Sequence, residues 1–302
     1  MTSTNSGGRA ILSLGRVYCD MVFNGLDSMP ELGRELFARD FTLTPGGGAL
    51  ITAAHAAALG RPAALLARFG TDAISNALKP QMLALGIDLQ FLELHASAGP
   101  QLTVVMVQNE ERAFLSRRAG HAAPASFDAA LDWSDAAHLH IAEYATLHEM
   151  PGAVQAAKRR GLTVSLDPSW DADLIKDPLF FERAAGVDVF LPNLEEARAL
   201  THCEDPEEAL RTLAKHFPVV VLKCGGDGGM LAAKGTIISQ TSPVVEVVDT
   251  TGAGDAFNAG FLHVWLQGAD MDKCLASAIE AGMRSVQAAG GTGSLPRVHD
   301  VA

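Results

Sequence analysis

Val248-Asp249-Thr250-Thr251-Gly252-Ala253-Gly254-Asp255-Ala256-Phe257 is a glycine-spaced turn that delivers an aspartate to the start of a helix. Upstream, Val244-Val245-Glu246-Val247-Val248 reads as a strand end. Downstream, Ala256, Gly260, Phe261 and Val264 recur at helical spacing, with a stop expected at Gly268. The first amides of such a helix lack a carbonyl partner and point outward, which makes a seat for a phosphate. Gly252 and Gly254 carry no side chain to hold an anion off that backbone. A helix-start aspartate is stabilising by about 1 kcal/mol as a cap alone. Beside an anion seat, however, its charge repels the anion. The pairing makes chemical sense where Asp255 takes the proton of a hydroxyl that attacks a phosphoryl group.

Outward from this turn, short apolar runs alternate with helical segments. Ile11–Leu14, Ala63–Ala67, His138–Ile141, Thr163–Leu166, Val187–Leu191 and Val219–Leu222 read as buried parallel strands, with helices expected over Ala49–Leu59 and Ala73–Leu85. Such alternation predicts a doubly wound α/β domain with its ligands at the carboxyl ends of the strands. Two segments break the rhythm. Residues 16–44 and 89–117 carry alternating patterns, such as Leu102–Val107 and Ala113–Ser116, that suit hairpins of a separate small sheet.

Length and composition narrow the function. The chain has 302 residues, 48% hydrophobic and 19% charged, enough for one large domain with a small appendage. A formal net charge of −12 disfavours nucleic acid and anionic membrane surfaces as partners. Cys19, Cys203, Cys224 and Cys274 lie far apart, as expected of reduced thiols in the cytoplasm. No basic segment followed by an apolar core opens the chain, so no signal peptide is expected.

Other residues carry chemistry by type and place. Gly46-Gly47-Gly48 permits close backbone approach to a ligand at a helix start, or is an ordinary turn. Asp20, just past the first strand, could accept two hydroxyl hydrogen bonds at once. Asn193 and Glu196 fit a capping box. Lys223-Cys224-Gly225-Gly226-Asp227-Gly228-Gly229-Met230 is a glycine-rich link between two strands that reads as a tight hairpin. No P-loop motif occurs, and no Gly-x-Gly-x-x-Gly follows the first strand, which counts against a dinucleotide oxidoreductase. His138 and His140 fall on one face of a strand without an identifiable third ligand, so a structural role is expected.

Asp249-Thr250-Thr251-Gly252-Ala253-Gly254-Asp255 resembles the signature of the ribokinase-like, or PfkB, carbohydrate kinase family. Asp20, the Gly-Gly turn, Phe69-Gly70-Thr71-Asp72, Asp167-Pro168 and Asn193-x-x-Glu196 follow in family order, so the resemblance spans nearly the whole chain. It implies one α/β domain over 1–302 with a mainly parallel sheet flanked by helices, and a small antiparallel β-sheet lid from about 16–44 and 89–117. It also implies ATP-dependent phosphorylation of a small sugar hydroxyl, with Asp255 as base and the Gly252, Ala253 and Gly254 amides as anion hole. By the same resemblance Asp20, Gly46, Gly47 and position 51 face the substrate. Ile51 stands where the family usually has asparagine, which removes a polar contact. Asn193, Lys223, Gly225, Gly226, Gly228 and Thr250 would face ATP, and Glu196 would reach Mg2+ through water. Asp249, Thr251, Ser285, Gly290 and Ser294 would hold a potassium-like ion (K+), and His121 stands at a position where the family often has asparagine near the active site. A homodimer through the lid follows from the same resemblance. Two neighbours within the family stay open. A nucleoside kinase would suit Ile51, Phe23 and Met106, and a 2-keto-3-deoxy sugar acid kinase would suit Asp167-Pro168, although no basic clamp for its carboxylate is evident. A non-catalytic sensor would keep the pocket and lose the base, and Asp255 is present.

Overall fold

The computed structural model describes residues 9–108 and 111–296. In chain order the strands are β1 (Ala10–Leu14), β2 (Tyr18–Asn24), β3 (Asp40–Gly46), β4 (Ala63–Leu66), β5 (Arg68–Phe69), β6 (Glu93–Leu94), β7 (Leu102–Gln108), β8 (Glu111–Arg117), β9 (Ala136–Ile141), β10 (Thr163–Leu166), β11 (Val189–Phe190), β12 (Val219–Lys223), β13 (Gly229–Ala233) and β14 (Thr236–Gln240). The central sheet has the order β14-β13-β12-β11-β10-β9-β1-β4. From β4 to β12 its pairs are parallel, and β13 and β14 add an antiparallel hairpin edge.

Alternate residues of each central strand face opposite helical layers, so both faces are buried and the sequence reads as continuous apolar runs. Ile11, Leu65, Val189 and Val221 pack with Leu50, Phe261 and Leu275 of the helices Gly48–Ala58, Ala253–Trp265 and Met271–Ser285. Leu12, Leu14, Leu139, Leu166, Phe190 and Leu222 pack on the other side with Leu147, Phe180 and Leu210. Ser13, the one hydroxyl within β1, is satisfied by donating to the Ala49 carbonyl at 2.8 Å.

A second sheet stands apart, in the order β3-β2-β7-β8. Two antiparallel pairs, β2 with β3 and β7 with β8, are joined by a parallel pairing of β2 with β7. Residues 89–101, expected in this sheet, instead run along the main body, where β6 pairs with β5. The apolar run Val244–Val248 forms no strand. Its β-branched residues imitate one, but only Val248 among them finds a backbone partner, Val286, and Val244 is fully exposed.

His138 and His140 are buried on one face of β9 and share the Ser165 hydroxyl, at 2.8 Å from each ring, while His138 also reaches Thr163. Among the described residues no three or more histidines, cysteines and carboxylates are placed as a direct ligand set for a metal ion, and no helix is long and apolar enough to cross a membrane.

The last two helices approach closely because Gly260 has no side chain: a Cβ there would lie 2.5 Å from the Ser277 carbonyl and 2.7 Å from Ala281 Cβ. Gly260→Val should therefore cost about 1–3 kcal/mol of stability by overpacking, measured by urea denaturation. An unchanged midpoint would mean that this contact is not tight.

Candidate active site

Asp255 sits in the first turn of the helix Ala253–Trp265, whose N-cap, Gly252, is left-handed at φ 73° and brings no side-chain cap. A Cβ on Gly252 would strike Gly291 Cα at 2.7 Å, so this bend needs glycine on two grounds. Without a capping side chain, the first amides stay open to a ligand. The Ala253 N–H is an exception, since it already donates to the Thr250 carbonyl at 3.2 Å. The Gly252 and Gly254 N–H groups have no partner among the described residues.

The side chain of Asp255 faces the Gly-Gly turn: a Cβ on Gly48 would come within 2.9 Å of its Oδ1. Around it gather Asp167, Glu196, Asp20 and one ammonium, Lys223. Burial first, and then Asp167, Glu196 and Asp20, push the Asp255 carboxyl up to about 7, with Lys223 opposing. Lys223 Nζ donates to Asp167 Oδ2 at 2.6 Å, and Asn258, one turn after Asp255, donates to the same oxygen at 2.6 Å. Burial disfavours that ammonium, yet Asp167 and Glu196 hold its pKa above the ordinary lysine value. Glu196 is likewise pushed up to about 7, by burial and then by Asp167.

Two cavities are lined by neighbours of this residue, one by Gly254 beside it in the chain and the other by Gly48 against its carboxyl. One, of about 430 Å³, is lined by Lys223, Gly225, Gly226, Gly228, Thr250, Ala253 and Gly254 on one side and by apolar Val245, Val247, Phe257, Ile279 and Met283 on the other. The second, of about 560 Å³, lies between the two sheets and is lined by Arg16, Tyr18, Gly47, Gly48, Thr103, Ser116, Arg118, Glu143, Ser169 and Trp170. Part of each wall comes from the segments that follow β1, β9, β10 and β12, where a doubly wound sheet places its ligands.

The remaining residues singled out in the sequence fall at different depths. Asp20 is in register with Thr103, which is in register with Ser116, so it shares the sheet face that lines the second cavity. Its carboxyl lies where a Cβ of Gly46 would be, at 1.8 Å, and is pushed up to about 7 by burial and then by Asp249. Gly47, at φ 95°, lines the cavity with its backbone against the Arg16 carbonyl. Ile51 does not face the substrate side. It is 3% exposed and packs under Gly252 and Gly291, supporting the bend from below. Asn193 and Glu196 form the full capping box, with Glu196 N–H donating to Asn193 Oδ1 and Asn193 N–H to Glu196 Oε2, both at 2.8 Å. The Asn193 backbone is also bridged to that of Lys223, which lines the first cavity. Ser285 is buried with its Oγ unpartnered, and Ser294 is exposed. His121 is 87% exposed, its ring 4.0 Å from Glu149, and lines neither cavity.

Several site residues carried no signal in the sequence. Arg16 and Arg118 enter the second cavity, each already matched by carboxylates: Arg16 by Glu149 and Glu143, Arg118 by Asp171 at 2.7 Å. Ser169 holds a left-handed backbone at φ 51°, an uncommon conformation for serine, and sets half-exposed Trp170 at the cavity wall. Only the Asp167-Pro168 dipeptide just before it pointed there.

A carboxylate with a raised pKa, open helix amides and two cavities lined by their neighbours are the parts that a phosphotransferase with an alcohol acceptor requires. The comparisons agree. Residues 11–298 match the model of the pfkB family carbohydrate kinases, and the chain belongs to that family. It is an ATP-dependent kinase of small sugar-like substrates. It is 25% identical over 307 residues to a ribokinase of Haemophilus influenzae, covering 95% of each chain. It is 27% identical to a nucleoside kinase of Methanothermobacter thermautotrophicus, covering 89% of this chain and 86% of the relative. Its fold superposes on Arabidopsis thaliana ribokinase complexed with ribose and ATP with a TM-score of 0.82, at 24% identity, covering 98% and 97% of the two chains.

The raised carboxyl has a consequence for stability. Folding disfavours the ionised form of Asp255, so the penalty begins above its unfolded pKa and is complete above about 7. Asp255→Asn removes it. The variant should melt at a higher temperature than the wild type, by more at about pH 8 than at about pH 5. A lower melting temperature at both would contradict the acid cluster as described.

Proposed function

We propose that Asp255 is the general base of this kinase and that the amides of Gly252 and Gly254, with Ala253 contributing its backbone dipole, form the anion hole. The observation that carries this reading is the place of the Asp255 carboxyl: it lies against Gly48, which lines the polar cavity, and one residue from Gly254, which lines the apolar-walled one, with no protein donor to its oxygens among the described residues. Asp255 would accept the proton of the attacking hydroxyl, while the open amides oppose negative charge on the transferring group. ATP is assigned to the 430 Å³ cavity, its base among Val245, Val247, Phe257 and Ile279 and its phosphates toward Gly225, Gly226, Gly228 and Lys223. Lys223 is tied to Asp167, so its charge would act on the phosphates while held in place.

Glu196 and Asn193 fit magnesium held through water, because Glu196, Asp167 and Asp255 crowd three carboxyls around one ammonium. Bound there, the ion would supply charge neutralisation for the phosphates. No such proposal is extended to a monovalent cation at Asp249, whose carboxylate oxygens already accept protein hydrogen bonds.

The acceptor is assigned to the 560 Å³ cavity, with Asp20 and the Gly46-Gly47 backbone toward its hydroxyls. A ribose-type sugar fits the polar walls. A nucleoside is the second reading, favoured by half-exposed Trp170, which lines the same cavity as Tyr18 and could stack on a base. A sugar acid is less suited, since Arg16 and Arg118 are both neutralised. We further assign the four-stranded sheet, within residues 16–44 and 89–117, the role of a lid that excludes water. Exposed Phe114 and Leu115 on its edge strand β8 support a homodimer through that sheet, and four unpaired cysteines support a cytoplasmic setting.

ADP release over a panel of pentoses, sugar acids and nucleosides tests the acceptor. Turnover confined to hexoses or sugar acids would reject the reading. With the best acceptor, Asp255→Asn should lower kcat by about 10²–10⁴-fold and leave the Kd for ATP within severalfold. Near-wild-type kcat would remove Asp255 as the base. In the wild type kcat/KM should climb as pH rises through about 7, because the base must be ionised. A profile flat across that range would contradict the assignment.

A further inference from the structure

The acid that would anchor a monovalent cation is already matched by protein groups. Asp249 Oδ1 accepts from the Thr251 N–H at 2.7 Å, and Oδ2 accepts from the Gly290 N–H at 2.8 Å. Onto Oδ1 also comes Arg112 Nη1, at 2.7 Å, with both side chains 17% exposed. The same nitrogen lies 3.2 Å from Thr250 Oγ1 and 3.1 Å from Thr251 Oγ1. Neighbouring carbonyls are engaged too: Gly290 accepts from the Gly293 N–H, Ser285 from the Ala288 N–H, and Gly291 bonds His55 Nε2 at 2.8 Å. Ser285 Oγ is left buried without a partner, and one hydroxyl is no ligand shell. These residues do not fit a bound potassium-like ion.

Arg112 belongs to β8, the far strand of the four-stranded sheet, whereas Asp249-Thr250-Thr251 leads directly into the open amides at Gly252. A guanidinium is permanently charged, and here its Nη1 donates to the two hydroxyls while pairing with the carboxylate beside them. We propose that Arg112 takes the place of a monovalent cation in this kinase. Reaching across from the four-stranded sheet, its charge balances Asp249 and fixes the two threonines, and this holds the turn that presents the anion-hole amides. Arg112 is a positioning residue, since it contacts Asp249, Thr250 and Thr251 and acts on the amides through them. Two consequences follow. The enzyme needs no added K+, and the anion hole is fully ordered only while the four-stranded sheet lies over it.

The inference rests on the kinase reading for its turnover arm alone; amide exchange needs no acceptor. Turnover with the best acceptor and hydrogen exchange of peptides covering 248–257 would be measured in KCl and in choline chloride, each at about 0.1 M so that screening is equal. The wild type should give the same turnover and exchange in both salts. Arg112→Ala should exchange about tenfold faster in that turn and turn over about tenfold more slowly, the scale of a lost charge-assisted contact. Arg112→Lys, which keeps the charge and less of the fork, should recover part of both. A wild type activated severalfold by KCl over choline would overturn the proposal. So would an Arg112→Ala enzyme that matches the wild type in exchange and turnover. If Arg112→Ala fails to fold, the wild-type salt comparison and Arg112→Lys still decide.

Discussion

Crowding carboxyl groups around a single ammonium is the constraint on which this site depends. Asp167 takes hydrogen bonds from both Lys223 and Asn258 on one oxygen. For Asp255 and Glu196 burial and like charge outweigh Lys223 and, at Glu196, the Asn193 N–H, and both are pushed toward neutrality. In a folded core this arrangement costs stability, because each ionised acid loses its water without a full counterion. It is tolerable where a proton is to be accepted at neutral pH, since a base with a pKa near the working pH is both available and strong enough.

The fold supplies that arrangement by bringing loop after loop to one edge of a parallel sheet. Asp167 follows β10, Asn193 follows β11 and Lys223 ends β12, and the helix bearing Asp255 packs across them in the layer that also holds Ile11, Leu65 and Val221. Glycines make room where these pieces converge. Gly46 accommodates the Asp20 carboxyl, Gly48 the Asp255 carboxyl, and Gly252 the bend over Ile51. The opposite wall comes from a separate sheet, so the site is assembled between two bodies joined by ion pairs such as Arg112–Asp249.

Much of the central sheet was legible because a strand buried on both faces leaves a mark that periodicity alone can find. β10 lies at Thr163–Leu166, as its apolar run predicts, and β12 extends its run by one residue. The same cue misled at Val244–Val248, where Val244, Val245 and Val247 line a cavity and Val248 bonds only to Val286, with no strand formed. The Asp255 turn was legible because two glycines and an acid leave few other conformations. Ile51 was misplaced because a gap in a family pattern reveals a lost contact and not where the new side chain goes. Arg16, Arg118, Trp170 and Arg112 were invisible for a different reason. Each acts through a partner more than 50 residues away or through a local backbone twist, and neither has a periodic trace.

The central claim is that Asp255 keeps its proton unusually long, and carbon NMR reads that directly. A carboxyl-13C aspartate-labelled enzyme would be titrated without ligands, with the Asp255 signal assigned by its loss in an asparagine variant. A midpoint near 7 is predicted. A midpoint at the ordinary aspartate value of about 3.9 would contradict it.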